Sequence, residues 1–387
     1  MYENLISQKI QLKPTNLQKS YFIKACGTSR FVYNWGLAEW NKQYKEGLKP
    51  NRYKLMKQLN SIKDIDFPWM REVSKYVPQG IIADLGNAFD SFFAERSNYP
   101  KFKKKGKCKD SFRLDNFCFR IRDKKVHIAK LGWVKMALPL RFEGRPLSCT
   151  ISRIADRWFA SIRLELLDPI VKSRISDNTV GIDLGIKNSV VLSSNDFIQV
   201  PKPLLKLQKK LARLQRQQSR RQLKSKNRDK TNRKVSKLFY RSTCTKQDFL
   251  HKLTSKICSE NQTIVIEDLS INGWKKLFGR QLIDFSPREF RCQLEYKSKF
   301  WDNNLIVADR FFPSSKTCSE CGWINADLKL TDRVYVCPNC GNNKDRDLNA
   351  AINLEHLAHT DRLSGIYACG QCESLRSLEE TGTSIGG

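Results

Sequence analysis

Two cysteine pairs, Cys318-x-x-Cys321 and Cys337-x-x-Cys340, stand fifteen residues apart. Each pair can offer two thiolates from one tight turn, and a short hairpin between them would close a tetrahedral zinc site. The glycine after each second cysteine, Gly322 and Gly341, frees the backbone for that turn. With four protein ligands no position stays open for catalysis, so the expected Zn²⁺ is structural. A third pair, Cys369 and Cys372, lies alone near the end of the chain with no matching partner.

Acids form the second group. Asp183, Glu267 and the neighbouring Asp345 and Asp347 each sit at the end of an apolar run or beside one rather than on a polar face. A carboxylate there is costly unless a cation accompanies it. Three such acids from separated segments, with no histidine to partner them, suit hard cations such as Mg²⁺. Two Mg²⁺ about 4 Å apart can activate water and stabilise the leaving oxygen of a phosphodiester. The chain has four histidines. None has a nucleophile nearby, which argues against histidine-driven chemistry.

The surrounding sequence must supply strands and helices that bring these groups together. Residues 5–12 alternate, with Ile6, Ile10 and Leu12 on one face, and read as a strand. Helical spacing follows through Phe31, Trp35 and Ala38, then through Ile81, Leu85, Ala88 and Phe92, so that 16–97 reads as a helical module. A basic loop with two interleaved aromatics, Tyr99-Pro-Lys-Phe-Lys-Lys-Lys-Gly-Lys107, closes it. From 111 to 167 the period becomes two: Phe117, Phe119 and Ile121, then Trp158, Ala160, Ile162, Leu164 and Leu166, predict half-buried antiparallel strands. The first strand is expected to join them, which makes the helices an insertion. Further on, Val180–Gly185 and Thr263–Leu269 read as buried strands with acids at their ends. Between them a strongly basic helical hairpin is expected over 203–256. A helix near 286–302, the cysteine region and an alanine-rich helix complete the folded part.

Seventy Lys and Arg against 39 Asp and Glu leave a net charge of +31 over 387 residues. Such an excess repels itself unless a polyanion relieves it, and nucleic acid is the expected partner. No apolar run approaches membrane-spanning length. The start, MYENLISQKIQLK, has no signal-peptide core. A cytoplasmic location is therefore expected, where thirteen cysteines point to metal rather than disulfides.

Several stretches resemble the TnpB family of transposon-encoded RNA-guided DNA nucleases, relatives of type V CRISPR effectors. They are Gly181-Ile-Asp-Leu-Gly-Ile-Lys-Asn188, Val265-Ile-Glu-Asp-Leu269, Phe312-Pro-Ser-Ser-Lys-Thr-Cys-Ser-Glu-Cys-Gly322 and Cys337-Pro-Asn-Cys-Gly with Asp345-Arg-Asp-Leu-Asn-Ala-Ala351. Arg30-Phe-Val-Tyr-Asn34, Lys246-Gln-Asp-Phe-Leu-His-Lys252 and Arg291-Cys-Gln-Leu-Glu-Tyr-Lys297 look like the family too. The resemblance covers about residues 5–355.

The resemblance implies a multidomain α+β and α/β protein. A wedge β-barrel (1–15 and 98–175) would carry an inserted helical recognition lobe (16–97). A split RuvC (RNase H-like) nuclease domain (176–312 and 343–358) would carry a zinc ribbon (313–342), with a tail at 359–387. It implies Mg²⁺-dependent cleavage of double-stranded target DNA directed by a structured, transposon-end-derived guide RNA, with no membrane partner. Asp183, Glu267 and Asp347 would be catalytic metal ligands, with Asp268 and Asp345 as adjacent candidates. Lys75 and Gln79 match the positions that read the flanking DNA motif, although Pro78 departs from the pattern there. Lys344 stands where a histidine is common. The alternatives are a compact type V CRISPR-like effector, a guided repressor that binds without cutting, and an unguided transposase.

Overall fold

Strand alternation and helical spacing assemble into two units, Met1–Pro169 and Ile170–Gly387. The structure, a computed structural model, describes residues 4–185, 188–269, 285–329, 331–359 and 367–368.

In the first unit, β1 (Leu5–Lys13) is followed by three helices, α1 (Asn16–Lys45), α2 (Arg52–Asp66) and α3 (Tyr76–Phe93). Six strands come next: β2 (Ser111–Asp115), β3 (Phe119–Arg122), β4 (Lys125–Ile128), β5 (Gly132–Met136), β6 (Gly144–Ile154) and β7 (Arg157–Leu166). They form one antiparallel sheet in the order β2-β6-β7-β1-β5-β4-β3. β1 lies between β7 and β5, so the helices are inserted between strands of a single sheet. The two ends of that order, β2 and β3, are consecutive in the chain and separated only by the turn Asn116–Cys118. The sheet must therefore curl until its edges are one turn apart. Its inner face buries Ile10, Leu12, Leu114, Ile151, Ile162 and Leu164.

α1 starts at a capping box: Thr15 accepts from the Gln18 amide and Gln18 reaches back to the Thr15 amide. It lays Phe22 and Ala25 on the sheet, the Phe22 ring 4.9 Å from Trp158. Its second half packs with α2 and α3, where Trp40 stacks on Phe89 at 4.0 Å.

Three local readings differ. On α1 the buried stripe runs through Val32, Tyr33, Gly36, Leu37 and Trp40, and Ala38 is exposed. On α3 Ile81 and Leu85 are buried as expected, but the stripe continues through Ile82 and Phe89, leaving Ala88 and Phe92 half-buried. Both helices carry aromatics on adjoining faces, so periodicity alone misplaces the stripe by about one residue. Phe117 is 85% exposed because the three-residue turn resets the alternation, and Cys118 points inward instead.

In the second unit, β8 (Asn178–Asp183), β9 (Val190–Leu192) and β10 (Phe197–Ile198) precede the basic hairpin α4 (Pro203–Arg220) and α5 (Lys226–Glu260). Then come β11 (Asn261–Glu267), α6 (Pro287–Trp301), β12 (Asn304–Ala308), the ribbon strands β13 (Val334–Val336) and β14 (Asn343–Asp345), α7 (Arg346–Leu357) and β15 (Tyr367–Ala368). The sheet order is β10-β9-β8-β11-β12-β15, with β8, β11 and β12 mutually parallel and the others antiparallel. One sheet face carries Ile182, Ile264 and Ile266 and packs on Leu250 and Ile257 of α5 and Leu294 of α6. The other carries Val265, Ile306 and Ala308 against Leu354 of α7.

Lys297 ties α6 to α5. Its ammonium donates to the His251 carbonyl at 2.6 Å, Thr254 Oγ1 at 2.7 Å and Ser255 Oγ at 2.8 Å, and burial lowers its pKa to about 8.

The close approach of α7 depends on Gly181. A Cβ there would lie 2.0 Å from the Ala351 carbonyl oxygen and 2.5 Å from the Glu355 nitrogen, both helix backbone atoms. Gly181→Ala should therefore force the helix off the sheet and cost about 3 kcal/mol or more, measured as lost stability in chemical denaturation.

Candidate active site and cysteine cluster

On parallel strands, residues in register share a face. Val180 pairs with Ile264 and Ile182 with Ile266, so Asp183 and Glu267 stand side by side at the carboxyl ends of β8 and β11. Ligand sites of open α/β sheets form at such strand ends. Both side chains belong to residues that remain half-buried.

α7 supplies the third acid by simple arithmetic. Two residues along a strand and four along a helix both advance about 6 Å. Ala351 packs on Gly181, so Asp347, one turn earlier, lies over the Asp183–Gly185 segment. A Cβ on Gly185 would meet Asp347 Oδ2 at 3.6 Å.

The electrostatics register this convergence. Asp183 has its pKa pushed well above the ordinary range by burial first, then by the charges of Glu267 and Asp347, with Arg346 and the Leu184 amide acting in the opposite sense. Burial also raises Glu267, offset by a hydrogen bond from Ser314 Oγ to Glu267 Oε1. The three acids stand more openly than a closed cage. Among the described residues, the cysteine quartet is the one group of three or more whose candidate ligand atoms all lie within 4.8 Å of one another.

The two neighbouring acids have other work. Asp268 receives Arg291 and Arg310, both at 2.7 Å. Partial burial pushes its pKa up, but these hydrogen bonds outweigh it and the carboxyl ends below the usual range. Asp345 caps α7 and accepts from the amides of Asp347 at 2.9 Å and Leu348 at 3.2 Å. Asp347 thereby keeps its carboxylate out of the cap.

The cysteines form two matched knuckles. Gly322 and Gly341 adopt φ of 74° and 73°, and their amides return to the carbonyls of Cys318 and Cys337 at 3.0 and 2.9 Å. The Cys318–Cys340 and Cys321–Cys337 sulfurs are each 3.6 Å apart. Four thiolates about 2.3 Å from Zn²⁺ would stand about 3.8 Å apart. Burial pushes the Cys318 thiol up, but the amides of Cys321 and Glu320 and the Asn342 side chain bring it down to about 6. This donor set fits Zn²⁺. Cys369 and Cys372 lie outside the described residues.

Ribbon and acids are joined by side chains that the spacing of acids and cysteines did not reveal. Asn349 accepts from the Ser319 amide at 2.9 Å and donates to the Thr317 carbonyl at 2.6 Å, gripping the chain on both sides of Cys318. Asn353, one turn on, donates to the carbonyls of Ser314 at 2.8 Å and Thr317 at 2.6 Å. Ser314 then meets Glu267. Two buried asparagines four residues apart in an alanine-rich helix were the available signal. Lys344, at the departure from the family pattern, pairs with Glu320 of the first knuckle.

Lys75 and Gln79 are not part of this cluster. Both are exposed at the start of α3 in the first unit, four residues apart. Pro78 occupies the third helical position, where its missing N–H has no intrahelical partner to lose.

Family models match residues 161–277 (OrfB_IS605, "Probable transposase"), 288–354 ("Cas12f1-like, TNB domain") and 1–49 ("Helix-turn-helix domain"). A Streptomyces pristinaespiralis protein, "Putative RNA-guided DNA endonuclease", is 35% identical over 89% of this chain and 87% of its own length.

The chain belongs to the TnpB family.

Within that family, the Escherichia coli K12 relative "Putative RNA-guided DNA endonuclease InsQ" is 29% identical over 97% of both chains. Among solved structures, the mini-RNA-guided endonuclease CRISPR-Cas phi3 aligns over 92% of both chains at 10% identity; its TM-score of 0.45 is too low to bear on the fold. The helix-turn-helix description of residues 1–49 does not fit the described part of that range, 4–49, which holds one strand and one helix of 30 residues. No described helix is long and apolar enough to cross a membrane.

The raised Asp183 fixes a linkage. A carboxyl whose folded pKa exceeds its unfolded one contributes stability at low pH and loses it as pH rises through the folded value. In chelator, Asp183→Asn should therefore be more stable than wild type near pH 7.5, by about 1 kcal/mol or roughly 2–4 °C. The gain should shrink toward pH 4.

Proposed function

We propose that this TnpB-family protein is an RNA-guided DNA endonuclease that cuts double-stranded DNA beside a short flanking motif by Mg²⁺-dependent hydrolysis. The observation that carries the reading is the convergence of Asp183, Glu267 and Asp347 from three distant segments, where burial first and then the charges of Glu267 and Asp347 raise the proton affinity of Asp183. Carboxylates whose mutual charge favours a bound proton favour a bound divalent cation for the same reason. The names of its relatives support RNA guidance and DNA as substrate.

In this reading Asp183, Glu267 and Asp347 would hold divalent Mg²⁺, whose chemistry when bound would be to activate a water and stabilise the leaving oxygen. The protein's own part is placement. Ser314 fixes the Glu267 carboxylate, Asp345 holds the first turn of α7, and Arg291 with Arg310 removes the charge of Asp268 from the pocket. The curled sheet (1–15 and 98–175) would be the wedge domain and its inserted helices (16–97) the recognition lobe. The second unit would be the RuvC domain (176–312 and 343–358), with the ribbon at 313–342 and the tail at 359–387. Cys318, Cys321, Cys337 and Cys340 would hold a structural Zn²⁺. Lys75 and Gln79, exposed on one face of α3, would read the flanking motif. Base pairing with the guide RNA would read the remainder of the target, and basic surfaces such as α4 and α5 would hold the phosphates.

Asp183→Ala should retain bound RNA and target DNA while cleavage falls by at least about a thousandfold; wild-type cleavage by this variant would remove the assignment. Cys337→Ser should lower zinc content toward zero. It should cut cleavage about 10- to 100-fold while guide-RNA binding changes less than about twofold, because Asn349 grips the chain around Cys318 beside α7. Equal losses of both activities would mean that the ribbon serves folding alone.

A further inference from the structure

Two sequence features are left over: the motif Arg30-Phe-Val-Tyr-Asn34 and the lysine-rich loop after α3. The structure joins them. Residues 98–109 carry six lysines and no acid. Such a segment repels itself and would be expected to spread freely in solvent. Instead it is fastened along one stripe of α1, at positions 30, 33, 34 and 41. Asn34 donates to the Lys103 carbonyl at 2.9 Å and accepts from the Lys103 amide at 2.7 Å. The Lys103 ammonium sits 3.9 Å from the centre of the Tyr33 ring. At the near end, the Tyr99 hydroxyl donates to Asn41 at 2.5 Å, and its ring meets Phe89 and Phe92 edge-on. At the far end, Arg30 pairs with Asp110 at 2.7 Å. Inside the loop, a turn through Gly106 (φ 82°) returns the amides of Lys107 and Cys108 to the Lys104 carbonyl, each at 3.0 Å.

This fastening leaves Lys101, Lys104, Lys105 and Lys107 exposed, with the Phe102 ring, 51% exposed, among them. An amide side chain that commits both its groups to one backbone position specifies the path of the loop, not merely its charge. A fixed path matters only where cations must match a shaped polyanion, since preorganisation spares the ordering cost at binding. Duplex phosphates would need the lysines alone. An exposed aromatic between them adds a face on which an unpaired base can stack, the combination used by single-strand binding surfaces.

We propose that residues 99–107 are a preformed binding site for an unpaired segment of the guide RNA. Phosphates lie on Lys101, Lys104, Lys105 and Lys107, one base stacks on Phe102, and Asn34, Tyr33 and Arg30 are positioning residues. This rests on the reading above that the chain carries a guide RNA.

The test uses the full chain purified with its cellular RNA. Ultraviolet crosslinking and peptide mapping should place a nucleotide adduct on Phe102; Phe102→Ala should remove it and Phe102→Trp should keep it. The double variant Lys104→Gln/Lys105→Gln should release RNA at lower KCl, with the log–log salt slope reduced by about 1.4, or about 0.7 per single-strand phosphate contact. Asn34→Ala should also weaken retention, about fivefold or more, with no change of charge. RNA adducts elsewhere but none on the loop would overturn the inference, as would adducts only to added target DNA or unchanged release from the lysine variant. RNA-bound protein with those results leaves the nuclease reading standing, whereas a chain that purifies without RNA overturns both.

Discussion

The repulsion among three carboxylates governs the second unit. Asp183 and Glu267 lie abreast at the ends of parallel strands, and Asp347 faces them from α7. No fold gains stability from bringing like charges together where they are partly buried; burial and neighbouring charge both raise the free energy of the ionised state. The arrangement persists because the surrounding packing holds it. Local rules broken at one place and supported around it mark a functional site.

Most of that support passes through α7. Gly181 lets the helix rest on strand backbone, which fixes its height above the sheet to within a methyl group. Asp345 fixes its first turn. Asn349 and Asn353 then project from the same helix to the segment that begins the cysteine ribbon, and Ser314 in that segment reaches Glu267. The ribbon lies between the segment holding Glu267 and the helix bearing Asp347. A metal that closes the four thiolates therefore shortens the effective loop between two acids and pins both ends. That gives a structural clip a physical reason to lie beside the three acids.

Much of this was legible in the sequence because its signals are local. Apolar runs of strand length ending in acids gave β8 and β11, and paired CxxC turns with following glycines gave the two knuckles. Period-two alternation gave β7, whose Trp158, Ala160, Ile162, Leu164 and Leu166 are all buried. What stayed hidden depends on contacts between distant residues. Acidic neighbours cannot be told apart by spacing: Asp268 differs from Glu267 because two arginines reach it, and Asp345 differs from Asp347 because it caps a helix. Serine and asparagine carry no charge or metal affinity to draw notice, so Ser314, Asn349 and Asn353 emerge only once the helix and loop meet. Stripe phase slipped on α1 and in the second half of α3, where aromatic residues occupy more than one face, and Phe117 escaped because a three-residue turn shifts the alternation.

The central claim is that Asp183, Glu267 and Asp347 converge on divalent ions. The most direct measurement is an anomalous-scattering map of the full chain with its RNA, cleavage-blocked target DNA and Mn²⁺ in place of Mg²⁺. The account predicts manganese peaks within about 2.3 Å of oxygens from all three side chains. Peaks that leave out any one of the three, or manganese bound elsewhere with the pocket holding none, would contradict it.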